Sequence, residues 1–251
     1  MCGRVFVKTN LDTMVQEFAF AQVESDVDGL ANQFPRFNGA PGLDYPIIIM
    51  DVVREPDIPG PVFIRARWGF VPHFARELKE GFKHINARAE SVATNGIFKN
   101  AYRSRRALMP IAGYFEWKDI LGSGKNKQPY AFAMKDDQPF ALAAIWQEWG
   151  NPATGDRMRT FCVLTCEPND MMAKIHDRMP VILRQEDYRR WLSDEPDPRD
   201  LMVPFPSELM RMWPVDRKVG NSKNESADII DPIDLGPDDG PPPPPRDLFD
   251  L

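Results

Sequence analysis

Cysteine and histidine are both scarce in this chain, three of each in 251 residues. Cys2, Cys162 and Cys166 are too few to build a disulfide framework. Cys162 and Cys166 lie in TFCVLTC, a β-branched and apolar run that reads as a strand. Four strand residues span roughly 13 Å and return to the same face, so the two thiols are expected to be buried, unpaired core groups. His73, His84 and His176 offer no zinc pattern with these cysteines, and no metal or other cofactor is expected. No apolar run approaches the ~20 residues that span a bilayer. The opening MCGRVFVK has no apolar stretch ahead of a small-residue cleavage site. A soluble, cytoplasmic protein without membrane association is the expectation. Cys2 is left as the odd thiol, at an odd place.

An excess of positive charge is also missing: the net charge is −6. The deficit is local. From Glu225 onward eight acidic residues face Arg246 alone, a balance of −7; removing it leaves residues 1–224 with 30 basic and 29 acidic groups, or +1. Phosphate binding depends on local clustering, so a near-neutral body can still carry a basic groove. Candidate clusters are Arg65 with Arg67, and Lys99 with Arg103, Arg105 and Arg106; a solvated face explains any one of them equally well.

Alternating residues predict strands at about 3–8, 46–53, 61–69, 107–117, 129–135, 140–149 and 158–166, with MPVIL (179–183) as another. Asn10 is placed to cap a helix carrying Leu11, Met14, Val15 and Phe18. Further short helices are expected after Asn86, around Phe98 and Tyr102, around Met171, Met172 and Ile175, and over 186–193. PRFNGAPGLDYP is loop chemistry. Many strands with short helices between them predict an α+β domain of mostly antiparallel sheet over residues 1–225. From Ser226 the acidic, proline-rich stretch 226–251 has too few apolar residues to offset chain entropy and is expected to be a disordered tail. Its final RDLFDL has the acidic-hydrophobic look of a partner-docking peptide.

Removal of Met1 would leave an α-amine and a thiol on adjacent carbons of Cys2. An α-amine titrates near 7.7–8.0, so a sizeable fraction is nucleophilic at neutral pH. Such an amine condenses with an aldehyde to an imine, and the neighbouring thiol can close a five-membered thiazolidine on it. Three other segments bear on this chemistry. HINARAE places Asn86 and Arg88 two residues apart. GYFEWK puts Glu116 between Phe115 and Trp117, where a carboxyl group can act as a general acid or base. IHDRMPVIL sets His176, a proton shuttle by type, at a helix-to-strand junction. Each segment alone also fits a structural role: a buried glutamate paired to an arginine, a capped turn, a histidine bonded within the core.

Taken in order, MCGR, RFNGAP, RWGFVP, INARAE, GYFEWK, LTCEPN, IHDRMPVIL and PVDRKVGN resemble the SOS-response-associated peptidase (SRAP) family of abasic-site processing proteins, over residues 1 to about 233. The resemblance implies a single SRAP-like domain with a barrel-like core and short flanking helices. It implies a mature N-terminal cysteine that forms a thiazolidine crosslink with abasic sites in single-stranded DNA and shields them at stalled forks. Carried onto this sequence, it makes Cys2 the nucleophile, Asn86 the residue orienting the N-terminus, Glu116 the catalytic glutamate and His176 the histidine that helps open the sugar. Arg4 and Arg88 resemble phosphate contacts, and Asn38 and Pro41 parts of the loop lining the site. For Trp68 and Trp117, stacking on bases beside the lesion and core packing stand level. A monomer associated with the nucleoid on DNA damage, with a replication-protein partner for the tail, completes the expectation. Phe74 in place of a tryptophan, Pro168, GLDYP and the Asp-Pro-rich stretch near 194–200 depart from the family pattern. The rivals are a cysteine peptidase using Cys2, His176 and Glu116, an abasic-site lyase working through the imine, and a non-catalytic single-strand binding module.

Overall fold

The structure, a computed structural model, describes residues 2–51, 60–120, 122, 124 and 127–235. The alternating segments become strands β1 (Val5–Val7), β2 (Gln22–Val23), β3 (Arg36–Gly39), β4 (Asp44–Asp51), β5 (Gly60–Trp68), β6 (Asn86–Arg88) and β7 (Arg106–Ile111). They continue as β8 (Gly113–Lys118), β9 (Gln128–Met134), β10 (Phe140–Gly150), β11 (Arg157–Cys166), β12 (Met179–Pro180), β13 (Ile182–Leu183) and β14 (Met210–Pro214). The α-helices are short: α1 (Leu11–Glu17), α2 (Ala89–Val92), α3 (Lys99–Ser104) and α4 (Tyr188–Leu192). Asn10 caps α1 as its side chain predicts, accepting from the Thr13 amide at 2.9 Å. The segment around Met171 forms only a 3₁₀ turn, Met172–Lys174.

Strands β11, β10, β7, β4 and β5 pair antiparallel in that order, and parallel pairing of Thr160 with Arg67 and Phe161 with Trp68 closes them into a five-stranded barrel. A second sheet, ordered β14–β9–β8–β1–β3, is antiparallel throughout. This is the expected α+β domain with a barrel-like core. Trp68, Tyr45 and Phe161 interlock in the main core, Trp68 and Phe161 stacking at 6.2 Å between centroids and Tyr45 meeting Trp68 edge-on at 5.8 Å. Trp68 is wholly buried and its Nε1 donates to the Ile85 carbonyl at 2.9 Å. Its ring is core, which overturns the stacking expectation for Trp68.

The single strand expected over 107–117 divides at Ala112. β7 belongs to the barrel and β8 to the second sheet. Gly113 makes the crossing feasible: a Cβ there would lie 2.2 Å from the Phe6 ring and 2.4 Å from the Phe132 carbonyl oxygen. Any other residue would push the two sheets apart. MPVIL divides in the same way, β12 pairing with β11 and β13 with β10.

The outer face of the second sheet is covered by a smaller cluster in which Phe6, Phe115, Trp213, Val215, Val219 and Ile229 meet. This corrects the start of the tail. Residues 227–230 form a 3₁₀ turn, Ile229 is fully buried, Trp213 Nε1 donates to the Ile230 carbonyl at 2.7 Å, and the Ile233 amide reaches the Pro214 carbonyl at 3.0 Å. The three isoleucines Ile229, Ile230 and Ile233 supply apolar anchors that an average over the acidic stretch conceals. The proline run and RDLFDL lie outside the described residues.

Candidate active site

Cys2 is buried, with no exposed surface. Burial is an unusual condition for the second residue of a chain, and two strands account for it. β1 pairs with β8, Val5 opposite Tyr114 and Phe6 opposite Gly113. Each pair sums to 119, so continuing the register sets Gly3 opposite Glu116. From the other side, the Asn86 side-chain amide at the start of β6 donates to the Cys2 carbonyl at 2.8 Å. The structure therefore brings Cys2, Asn86 and Glu116 together around the N-terminus.

Glu116 is 3% exposed. Strand alternation puts it on the same face of β8 as Tyr114, while Phe115 and Trp117 turn to the outer cluster. Tyr114 stacks on Phe132 at 5.0 Å and its hydroxyl approaches Met172 Sδ at 3.9 Å. Burial, and then the negative charge of Glu116, push the Cys2 thiol far up. Burial likewise raises Tyr114, with Cys2, Glu116 and Cys166 adding to the effect. Tyr114 was not singled out from the sequence, although it stands two residues before Glu116 in an alternating strand.

The end of β11 carries the remaining groups. On one edge β6 pairs parallel with it (Val163 with Asn86, Thr165 with Arg88), and on the other β12 pairs antiparallel (Cys166 with Met179). Asn86 and Arg88 thus flank one side and His176, three residues before β12, approaches the other. Arg178 spans the gap. Its Nη1 and Nη2 donate to the two Glu90 oxygens at 2.7 and 2.9 Å, and Nη2 also donates to the Thr165 carbonyl at 2.6 Å. Nothing in the sequence marks this clamp, because Glu90 and Arg178 are ordinary charged residues far apart in the chain, each two positions beyond Arg88 or His176.

Two groups approach His176 Nδ1: the Arg178 amide at 3.0 Å and Asp177 Oδ1 at 2.8 Å. The backbone fixes the amide, and the Asp177 side chain is 87% exposed. Nδ1 accepts from the Arg178 amide in the tautomer that carries its proton on Nε2, and donates to Asp177 when it is itself protonated.

The expected DNA contacts separate. Arg88 is exposed at the end of β6. Pro41 lies at the surface in the turn after β3, whose pairing with β1 (Val5 opposite Gly39) leads toward the N-terminal residues. Asn38 is wholly buried and donates to the carbonyls of Val219, Asn221 and Asn224 at 3.2, 3.0 and 2.8 Å. It is a tether for the PVDRKVGN segment, which corrects its assignment to the lining of the site. Arg4 helps to hold the same segment. Its Nη1 donates to Asn38 Oδ1 at 2.7 Å and to the Val219 carbonyl at 2.8 Å, and the half-buried guanidinium lies 5.9 Å from the Trp117 ring centroid. Trp117 is partly exposed but on the face of β8 opposite Glu116. The second basic cluster is also structural in part, since Arg106 is 4% exposed and bound by backbone carbonyls. Cys162 and Cys166 are free and buried in β11, as their strand predicts. Among the described residues no group of three or more His, Cys, Asp or Glu side chains is placed to hold a metal ion.

Residues 1–222 match the family described as SOS response associated peptidase, SRAP. The chain belongs to the SRAP family. It is 31% identical over 235 residues to the abasic site processing protein YoqW of Bacillus subtilis, covering 92% of this chain and 99% of that one. Identity to the Escherichia coli abasic site processing protein YedK is 30% over 239 residues, covering 93% and 100%. A vertebrate SRAP relative, the abasic site processing protein HMCES of Gallus gallus, is 25% identical over 229 residues, covering 80% of this chain and 67% of its own. The SRAP fold is shared by a crystal structure of a Bacteroides thetaiotaomicron protein, with a TM-score of 0.78 at 23% identity, covering 93% of this chain and 100% of that one.

Proposed function

We propose that this SRAP protein processes abasic sites in single-stranded DNA by capturing the ring-opened sugar on Cys2 after Met1 is removed. The observation that carries this reading is a buried Cys2 held by Asn86 through its carbonyl, beside Glu116. A free chain end is ordinarily solvated and mobile. Here the residue that becomes the terminus is fixed with its reactive groups at a carboxylate. The Asn86 amide oxygen is buried without a hydrogen-bond donor among the described residues, and a freed α-amine is a donor on the residue Asn86 already holds.

The chemistry runs in balanced steps. Opening of the hemiacetal, with His176 moving a proton through Nε2, frees the C1′ aldehyde. The Cys2 amine adds to C1′ to give a carbinolamine. Glu116 delivers a proton to the departing hydroxyl and takes back the one the nitrogen loses, so that water leaves and the imine forms. The thiol then adds to the imine carbon: a C–S bond forms, the thiol proton passes by way of Glu116 to the nitrogen, and the thiazolidine is closed. Arg88, exposed at the end of β6, takes a phosphate beside the lesion in this reading.

The raised thiol weighs against the cysteine-peptidase alternative. A thiol nucleophile of that kind needs its thiolate stabilised, and burial beside Glu116 does the opposite. Thiol addition to a preformed imine tolerates a neutral thiol with a carboxylate ready to take its proton.

Intact-mass measurement after incubation with a single-stranded oligonucleotide bearing one abasic site tests the reading. Wild type lacking Met1 should gain the full oligonucleotide mass less one water, the Cys2→Ala variant should not, and an undamaged oligonucleotide should give no adduct. Strand cleavage without a stable adduct would favour the lyase. Mature protein that binds abasic DNA and forms no adduct sinks the proposal.

A further inference from the structure

Tyr114 is wholly buried, on the face of β8 that carries Glu116. Its ring is fixed, with Val5 opposite on β1 and Phe132 stacked at 5.0 Å with 8° between the planes. The hydroxyl is poorly served. Among the described residues its one hydrogen-bond partner is Met172 Sδ at 3.9 Å, and a thioether is a weak acceptor. Sinking a hydroxyl into a core without a good partner costs stability. The neighbouring Phe132 fills the same layer with no hydroxyl at all. Packing asks for a ring at this position and not for its O–H.

What the hydroxyl does face is the reacting end of the chain. Tyr114 and Cys2 share the main core, and neither exposes any surface. Burial first, and then the negative charge of Cys2, ahead of Glu116 and Cys166, push the Tyr114 hydroxyl well above its ordinary value. It keeps its proton at neutral pH and so serves as a donor, not as a base. Met172 opens the 3₁₀ turn that leads to His176, whose amide donates to the Met172 carbonyl at 2.9 Å.

We propose that the Tyr114 hydroxyl turns its hydrogen from Met172 to the Cys2 sulfur as the thiazolidine closes and as it reopens. The role rests on the capture reaction proposed above. In closure the thiol proton passes by way of Glu116 to the nitrogen, and the sulfur carries negative charge before the C–S bond is complete. In reopening the C–S bond breaks and the same charge returns to sulfur. A fixed O–H in a buried site stabilises that charge and keeps its own proton throughout. Both directions pass through one transition state, so one donor serves both.

The test compares wild type with Tyr114→Phe, both lacking Met1. The variant keeps the ring, and its Tm should equal or exceed that of wild type, since only a poorly bonded hydroxyl is lost. Reactions with a single-stranded abasic oligonucleotide are quenched with borohydride and weighed. The reduced imine is two hydrogens heavier than the thiazolidine, which resists reduction. Imine should form at the wild-type rate in Tyr114→Phe, while its closure slows roughly 10- to 100-fold. Release of the adduct into excess hydroxylamine should slow by the same factor. A second readout needs no DNA: alkylation of Cys2 by iodoacetamide at one mildly alkaline pH should slow likewise, with Cys166 reacting as in wild type. Wild-type closure and alkylation in Tyr114→Phe, or a change confined to Cys166, overturn the role and leave capture standing. A lower Tm with imine formation and closure slowed alike would make Tyr114 a packing residue and also overturn it. Slower Cys2 alkylation in Tyr114→Phe, with no adduct in wild type, would sink capture and leave Tyr114 as the donor to the Cys2 sulfur.

Discussion

The Asn86 side-chain amide donates to the Cys2 carbonyl at 2.8 Å, so a barrel-side strand grips the N-terminal segment by its backbone and leaves the Cys2 thiol outside the bond. Asn86→Ala removes one part-buried hydrogen bond, a stability cost of about 1 kcal/mol. The kinetic cost should be larger, because a misplacement of about 1 Å at a reacting group can slow a step by ~100-fold. Thermal melting together with the time course of adduct formation checks this: a small change in Tm with a 10- to 100-fold slower adduct is the expected result, in keeping with that estimate. Loss of both in proportion would reduce Asn86 to a structural residue.

The Glu90–Arg178 clamp predicts a pH dependence of stability. The hydrogen bonds from Arg178 hold Glu90 below its ordinary value of 4.5. A carboxylate depressed in the folded state contributes stability that is fully present above 4.5 and is lost as pH falls through the lower, folded-state value. The protein should therefore lose stability on acidification below about pH 4.5, and Glu90→Gln should lose less over the same interval while starting lower at pH 7. Tm values at pH 7 and at two points below 4.5, for both proteins, give the comparison. Parallel curves would mean that the pair contributes nothing.

Period-2 alternation made most strands legible, and with them the class of fold. What alternation cannot report is a change of partner within one alternating run. Residues 107–117 read as one strand, and the crossing at Gly113 is set by Phe6 and Phe132, residues distant in sequence. Residue type and position made Cys2, Asn86 and Glu116 no more than candidates, each with a structural role open to it; the resemblance to the SRAP family singled them out, and the fold brings them together. Burial was the illegible part: Asn38, Trp68 and Arg106 have side chains suited equally to a ligand and to orphaned backbone carbonyls, and the three carbonyls of the 219–224 segment claim Asn38.

Trp68 gives a direct test of that distinction. Its ring is fully buried and its Nε1 is bonded to Ile85. Trp68→Phe should destabilise the protein by about 1–3 kcal/mol, through the lost bond and the smaller ring. The folded fraction should bind single-stranded DNA as wild type does. Denaturant titration and anisotropy separate the two effects, and weaker binding at unchanged stability would restore Trp68 to the DNA surface.

Arg88 and Arg106 should behave as opposites although both were read as basic side chains available to phosphate. Arg106 is 4% exposed and donates to the carbonyls of Trp191, Tyr102 and Glu195 at 2.6, 2.8 and 2.8 Å, as well as to Ser193. Removing it leaves several buried acceptors unpaired, each worth about 1–3 kcal/mol, so Arg106→Ala should lower stability on the order of 3 kcal/mol or more. Arg88 is exposed at the end of β6 and carries no such load. Arg88→Ala should leave Tm within a degree or two, weaken single-strand binding most at low salt, and reduce the salt slope by about 0.7, the share of one phosphate contact. A salt slope unchanged in Arg88→Ala would put the phosphate elsewhere.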